Sequence, residues 1–323
     1  MEVSVVAKQR FCKDCNIPLR IFQEPYFSDR IKLYDKFYGT NEKWNLFVSE
    51  LEKYHCEQDY FEEYNRIKDS AILSIKESSS YKRFNEEDMN KYRITHIDLP
   101  SKDIFKPSNN GKCFISIDMR KANFSALQNY SSEIFGNADT WEEFIGRYTL
   151  NQHIINSKYI RQVILGNCNP KRHITYEKYI MDQLLIHLKE VISIDRVVFF
   201  SNDEIVIDVS DREDGLNYLL VSWIKKNINN MIYGNDCLIP VPFRVELFRL
   251  YVIHGTEGFY KEIIKENGEK DIEFKCLDNY MLPFVIRRFL KEDITENDKV
   301  FYHEGLLAQF IEIPEIEEDI TEY

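Results

Sequence analysis

A short apolar run that stops on a carboxylate constrains this chain more than any other feature. Cys113-Phe114-Ile115-Ser116-Ile117-Asp118 leads directly into Met119-Arg120-Lys121-Ala122-Asn123-Phe124-Ser125-Ala126-Leu127. The first part is β-rich and would bury Phe114, Ile115 and Ile117; the second reads as the start of a helix. Asp118 therefore stands where a strand gives way to a helix. A second acidic site, Ser201-Asn202-Asp203-Glu204, sits at the tip of a tight hairpin between 197–200 and 205–209. Two carboxylate sites at strand ends are what a pair of divalent metal ions needs.

Around these sites the chain falls into a definite order. Residues 1–110 read as a helical, aromatic-rich region, with periodic apolar positions through 22–51 and 60–75. Breaks fall at Ser78-Ser79-Ser80 and Pro107-Ser108-Asn109-Asn110-Gly111, the latter just before the strand. A mostly helical insertion over about 128–190 separates the strand from the hairpin. A helix over 213–232 follows, with Leu216, Leu219, Leu220, Trp223 and Ile228 spaced for one buried face, and 243–252 then alternates as a half-buried strand does. The expected fold class is α+β: a βαββαβ antiparallel sheet in which strand 1 lies beside strand 3, over 111–255. That adjacency would bring Asp118 to Asp203. Residues 256–323 add a hairpin turning on Glu266-Asn267-Gly268-Glu269, a helix over 278–290 ending in Arg287-Arg288, and a peripheral acidic tail.

Composition matters where it bears on partners. The formal charge is −12 over 323 residues, but 292–323 alone carries eleven acids and one lysine, leaving −2 for the remainder. The acidity belongs to the tail, a candidate contact for a protein partner. In 151–190 six cations (Lys158, Arg161, Lys171, Arg172, Lys178, Lys189) face three acids (Glu177, Asp182, Glu190). A basic segment between two carboxylate sites would let phosphates bind beside metals. No apolar run is long enough for a membrane span and no secretory pattern opens the chain. Seven scattered cysteines suit a reducing compartment. A cytoplasmic protein is expected, and the Tyr, Ile, Asn and Lys richness is that of an AT-rich genome, as in many viruses. Cys12 and Cys15 form one Cys-x-x-Cys whose nearest partners, His55 and Cys56, make a poor second half for zinc, so two free thiols are preferred. His153, His173 and His187 have no metal spacing, and neither a Walker loop nor a nucleophile elbow occurs.

The split βαββαβ order, with an Asp ending its first strand and an acidic hairpin tip, resembles the palm of right-hand polymerases: reverse transcriptases, viral RNA polymerases and replicative DNA polymerases. The resemblance covers about 112–253. It implies a nucleotidyltransferase that extends a DNA or RNA primer from nucleoside triphosphates, using two Mg²⁺ or Mn²⁺ ions for in-line displacement at phosphorus. By position, Asp118 and Asp203 resemble the family's two metal-binding aspartates, with Glu204 assisting where many members carry another Asp. Asn123, five residues after Asp118, resembles the residue that faces the sugar 2′ position, where a small polar side chain accepts ribose. If the register slips by one, Phe124 becomes a steric gate and the preference inverts. The insertion resembles a fingers element, with Lys158, Arg161, Lys171 and Arg172 as candidates for the triphosphate. The tip Ser-Asn-Asp-Glu departs from the family's Tyr-x-Asp-Asp and Gly-Asp-Asp forms.

Each signal has an ordinary counterpart. Taken alone, Asp118 is read first as a helix N-cap, Asp203 as a turn residue and Asp208 as an exposed strand position, while the four cations are as readily a solvated face. Joint placement in one topology favours the metal reading. Two alternatives share the fold: a catalytically inactive, palm-like nucleic-acid-binding or scaffold subunit, and a nucleotide cyclase or cyclic-oligonucleotide synthase that needs no primer.

Overall fold

In the computed structural model, residues 2–233 and 241–318 are described. Six helices build the N-terminal region: α1 (Val5–Asp14), α2 (Tyr26–Leu33), α3 (Asp35–Tyr38), α4 (Thr40–Leu51), α5 (Glu57–Glu77) and α6 (Ser79–Glu86). Their periodic apolar residues, such as Phe11, Phe47, Tyr60, Ile67 and Ile75, are buried in one cluster. β1 (Cys113–Met119) follows, and five further helices intervene before the next strand: α7 (Ala122–Tyr130), α8 (Trp141–Gly146), α9 (Gln152–Asn156), α10 (Lys158–Gly166) and α11 (Pro170–His187). Then come β2 (Val197–Phe200), β3 (Glu204–Asp208), α12 (Asp214–Tyr233) and β4 (Phe243–His254). The chain continues through β5 (Phe259–Ile264), β6 (Lys270–Lys275), α13 (Leu282–Leu290), the hairpin β7 (Val300–His303) and β8 (Leu306–Gln309), and the short β9 (Glu317–Glu318).

The sheet runs β2-β3-β1-β4-β5-β6, every pairing antiparallel, and β9 joins the far end of β4. β1 thus lies between β3 and β4, the adjacency anticipated from the order of elements. Because side chains alternate across a strand, Ile115, Ile117, Ile205, Ile207 and Leu247 enter the helix-covered core. Phe114, Val206, Phe248 and Leu250 point to the other face, where Ile104 and Phe105 cover them. Further along that second face the row turns polar. Asp118 stands opposite Glu204 on β3 and Arg244 on β4.

Three expectations are corrected. On α12 the buried stripe is Leu220, Val221, Ile224, Ile228 and Met231, whereas Leu216, Leu219 and Trp223 are 52%, 54% and 61% exposed. Two apolar stripes lie side by side on this helix, and only one can face β4. The acidic C-terminal stretch is also built into the fold as far as residue 318. A capping box formed by Thr295 and Asp298 opens a turn of 3₁₀ helix before β7. Asp298, wholly buried, binds the equally buried Arg30 of α2 at 2.7 Å and Arg287 of α13 at 3.0 Å. One carboxylate thereby ties the tail to the N-terminal region. α13 begins at Leu282 rather than 278, with Pro283 in its first turn.

Candidate active site

The candidate site forms where β1 ends. β1 continues through Asp118 to Met119, and α7 starts only at Ala122 after Lys121 takes a left-handed conformation at φ 50°. No side chain caps that helix, so Asp118 is a strand residue and the N-cap alternative is removed. The backbone N–H of Met119 donates to the carbonyl of Asp203 at 2.8 Å, which fixes the hairpin tip against the end of β1. Ser201 organises the tip. Its hydroxyl donates to the Asp203 carboxylate at 2.9 Å and accepts from the backbone N–H groups of Asp203 and Glu204.

Asp118 and Asp203 line a cleft of about 500 Å³ together with Asn123, Lys158 and Arg161. Asp118 comes from β1, Asp203 from the hairpin tip, and Lys158 and Arg161 from α10. Burial pushes the Asp118 carboxyl up to about 6, against the lowering effect of Arg244, and the nearby charges of Glu204, Asp203 and Glu246 push the same way as burial. The Arg244 guanidinium approaches Asp118 at 3.6 Å and Glu246 at 3.3 Å. Burial lowers the Arg161 guanidinium against the raising effect of Glu142, and its buried Nε has no hydrogen-bond partner among the described residues. A half-buried cation with an unpaired donor suits an anion supplied by a ligand.

The remaining residues singled out in the sequence do not all converge here. Glu204 neighbours Asp118, but its carboxylate accepts from Ser116 Oγ at 2.5 Å, further down the sheet. Phe124 is buried against Phe135 and Trp141, with ring centroids 4.6 and 5.9 Å away, so it is not a gate on the cleft. Asn123 holds the cleft position instead. Its Oδ1 accepts from the Phe124 N–H at 3.0 Å, leaving Nδ2 as its donor. Arg172 donates to the carbonyls of Phe84 and Glu87 and packs over the Phe84 ring, a tie between α11 and α6 rather than a ligand contact. Lys171 is exposed and does not line the cleft. Asp208 accepts from the N–H and hydroxyl of Ser210 at the far end of β3.

Two contributors were missed. Glu177 lines the cleft from α11, accepts from Asn202 Nδ2 at 2.6 Å, and is pushed up to about 7, first by burial and then by Asp203. His173, one turn earlier, also lines it. Burial pushes this imidazole down to about 4, and its Nε2 has no hydrogen-bond partner among the described residues. The spacing Pro170, His173, Ile174, Glu177 is a helical stripe, and that period was the signal available in the sequence.

Among the described residues no group of three or more His, Cys, Asp or Glu side chains is arranged to hold a metal ion. The three-carboxylate set Asp118, Asp203 and Glu204 is thus not assembled as anticipated, because Ser116 holds Glu204 aside. What fits a hard cation is the pair Asp118 and Asp203, since magnesium takes one or two carboxylates and completes its shell with water and substrate phosphates. Cys12 and Cys15 are thiols, each pushed up to about 12 mainly by burial, while His55 and Cys56 are exposed.

No protein-family model matches the chain, and no curated protein or solved structure matches it either. Among the described residues no helix is long and apolar enough to cross a membrane.

Proposed function

We propose that this protein is a metal-dependent nucleotidyltransferase with a polymerase-like palm, adding nucleotides from triphosphates to a nucleic-acid 3′ end. One observation carries the reading. Asp118 and Asp203, 85 positions apart in the chain, share one cleft with Lys158 and Arg161 across from them. The order β2-β3-β1-β4 agrees with a palm, and helices α8 to α11 stand where fingers would.

In this reading Asp118 and Asp203 hold Mg²⁺ or Mn²⁺, which when bound supplies Lewis-acid stabilisation of charge at phosphorus. Such an ion would favour the ionised form of Asp118, whose carboxyl burial pushes up to about 6. Lys158 and Arg161 neutralise the triphosphate, and Arg161 enters that role without surrendering another partner. Asn123 Nδ2 faces the sugar, and with Phe124 packed in the core the site accepts a 2′-hydroxyl. Lys171 and Arg172 have no part in it.

The test is primer extension with all eight nucleotides, run with and without template, and with Mg²⁺ or Mn²⁺. Asp118→Ala is expected to lower incorporation about a thousandfold or more, the loss of about 4 kcal/mol of transition-state stabilisation, with the melting midpoint little changed. Incorporation that survives in Asp118→Ala overturns the assignment.

The inactive-subunit reading is favoured by one observation: Arg244 already provides a cation beside Asp118. Melting with and without divalent ion plus triphosphate separates the two, because a ligand stabilises only the state that binds it. A midpoint that does not move supports the inactive subunit.

A further inference from the structure

A second and larger opening, of about 790 Å³, lies between α1 with the loop after it, the outer face of α10, and the end of β6. It has no part in the chemistry above, yet Gln162 of α10 lines both this groove and the acidic cleft. The two are neighbours across one helix.

Its charge is opposite to that of the chain. Lys13, Arg20 and Lys275 line it against the single carboxylate of Glu273, a local balance of +2 on a protein of −12. That carboxylate is already neutralised: Lys275 donates to it at 2.8 Å and Lys261 stands at 3.9 Å, and these lysines help hold Glu273 below its ordinary value despite burial. Lys13 and Arg20 are exposed and form no ion pair among the described residues. Aromatic rings stand among the cations. Tyr159 is half-buried, with the Arg10 guanidinium 5.2 Å and the Lys13 ammonium 5.9 Å from its ring centre, and Phe22 lines the wall.

We propose that this groove binds single-stranded nucleic acid, with Lys13 and Arg20 on phosphates and Tyr159 stacking a base. Unpaired cations beside an accessible ring in an open groove are the ordinary means of holding a single strand without reading its sequence. An acidic peptide would use the cations but has no need of the ring. The choice of polymer rests on the nucleotidyltransferase reading, since the groove abuts the cleft where a 3′ end would be extended.

The experiment is fluorescence anisotropy of labelled single-stranded DNA and RNA 12-mers on the whole chain, in EDTA and without triphosphate. Wild type is expected to bind, with an affinity that falls as salt rises. In the double variant Lys13→Gln with Arg20→Gln, binding is expected to weaken at least tenfold, and the slope of log K against log salt to fall by about 1.4. Tyr159→Leu is expected to weaken binding about tenfold with no change in that slope. Lys189→Gln, an exposed lysine that lines neither opening, serves as the charge control and is expected to bind as wild type does. Equal melting midpoints show that the variants are folded.

No binding by wild type, or binding that the double variant retains within twofold, overturns the proposal. So does a polyglutamate peptide that binds with the same dependence on Lys13 and Arg20 while the oligonucleotides do not bind. Groove-dependent binding without any nucleotide incorporation removes the transferase reading and leaves the groove standing. Incorporation that is indifferent to the groove variants removes the groove alone.

Discussion

Asp298→Asn changes almost no volume, so its cost reports the lost charge together with the acceptor oxygen that becomes an N–H donor. In the native fold Asp298 accepts from Arg30 Nη1 at 2.7 Å, from Arg287 Nε at 3.0 Å, and from the Thr295 N–H and hydroxyl, both at 2.8 Å. Arg30 is 2% exposed and Asp298 not at all, which leaves no water to replace a lost partner. Removing one member of such a pair costs about 3–5 kcal/mol because the other charge stays buried and uncompensated. The amide keeps one acceptor oxygen, which serves either Arg30 or the Arg287 and Thr295 donors but not both, and Arg30 otherwise has the carbonyls of Asn297 and Val300. With an unfolding entropy of about 2.1 cal/mol/K per residue, the 323-residue chain has about 0.7 kcal/mol/K at its midpoint, so a loss of about 4 kcal/mol lowers that midpoint by about 6 °C. The assay is urea and thermal unfolding of wild type, Asp298→Asn, Arg30→Met and the double variant. Met keeps much of the apolar stem of Arg30 while removing the stranded charge, so the double variant should be more stable than Asp298→Asn alone. A single variant within 1 kcal/mol of wild type, or a double variant that pays the sum of both, refutes the reasoning.

Two further predictions address the cleft. The Glu177 carboxyl is pushed up by burial from 4.5 to about 7, so between those values the folded chain holds a proton that the unfolded chain releases. Its contribution is intact below pH 4.5 and is lost as pH rises through 7, by at most about 3 kcal/mol. Glu177→Gln should therefore flatten the fall in urea stability between about pH 4.5 and 7.5, and parallel curves for the two proteins would count against it. Arg161→Gln should raise KM for the triphosphate about tenfold with little effect on stability, whereas Arg172→Ala should cost about 1–3 kcal/mol of stability and leave KM alone. Steady-state kinetics beside melting curves distinguish them, and a reversal of the two patterns would show that the helix faces are misassigned.

Much of the arrangement was present in local pattern. The apolar run at 113–117 and the alternation at the start of 243–252 mark two strands of the sheet, and the turn residues at 201–204 mark the hairpin tip. The split βαββαβ order places β1 beside β3, and with it Asp118 near Asp203. Periodicity alone could not choose between neighbouring stripes of a helix. Leu216 and Leu220 are both apolar, and the sheet covers only the second. The same limit applies to cations: on α10 and α11, residues about 100° apart per step look alike until neighbouring elements take their places. Arg161 lines the cleft with its Nε unpaired among the described residues, while Arg172 was taken up by the carbonyls at the end of α6. Asn123 and Phe124 differ by one step of a helix, and the aromatic one went to the core with Phe135 and Trp141. Asp298 shows the same division at long range. Its capping role can be read from Thr295 three residues earlier, but its burial depends on Arg30, 268 positions away, which only the closed tertiary structure brings to it.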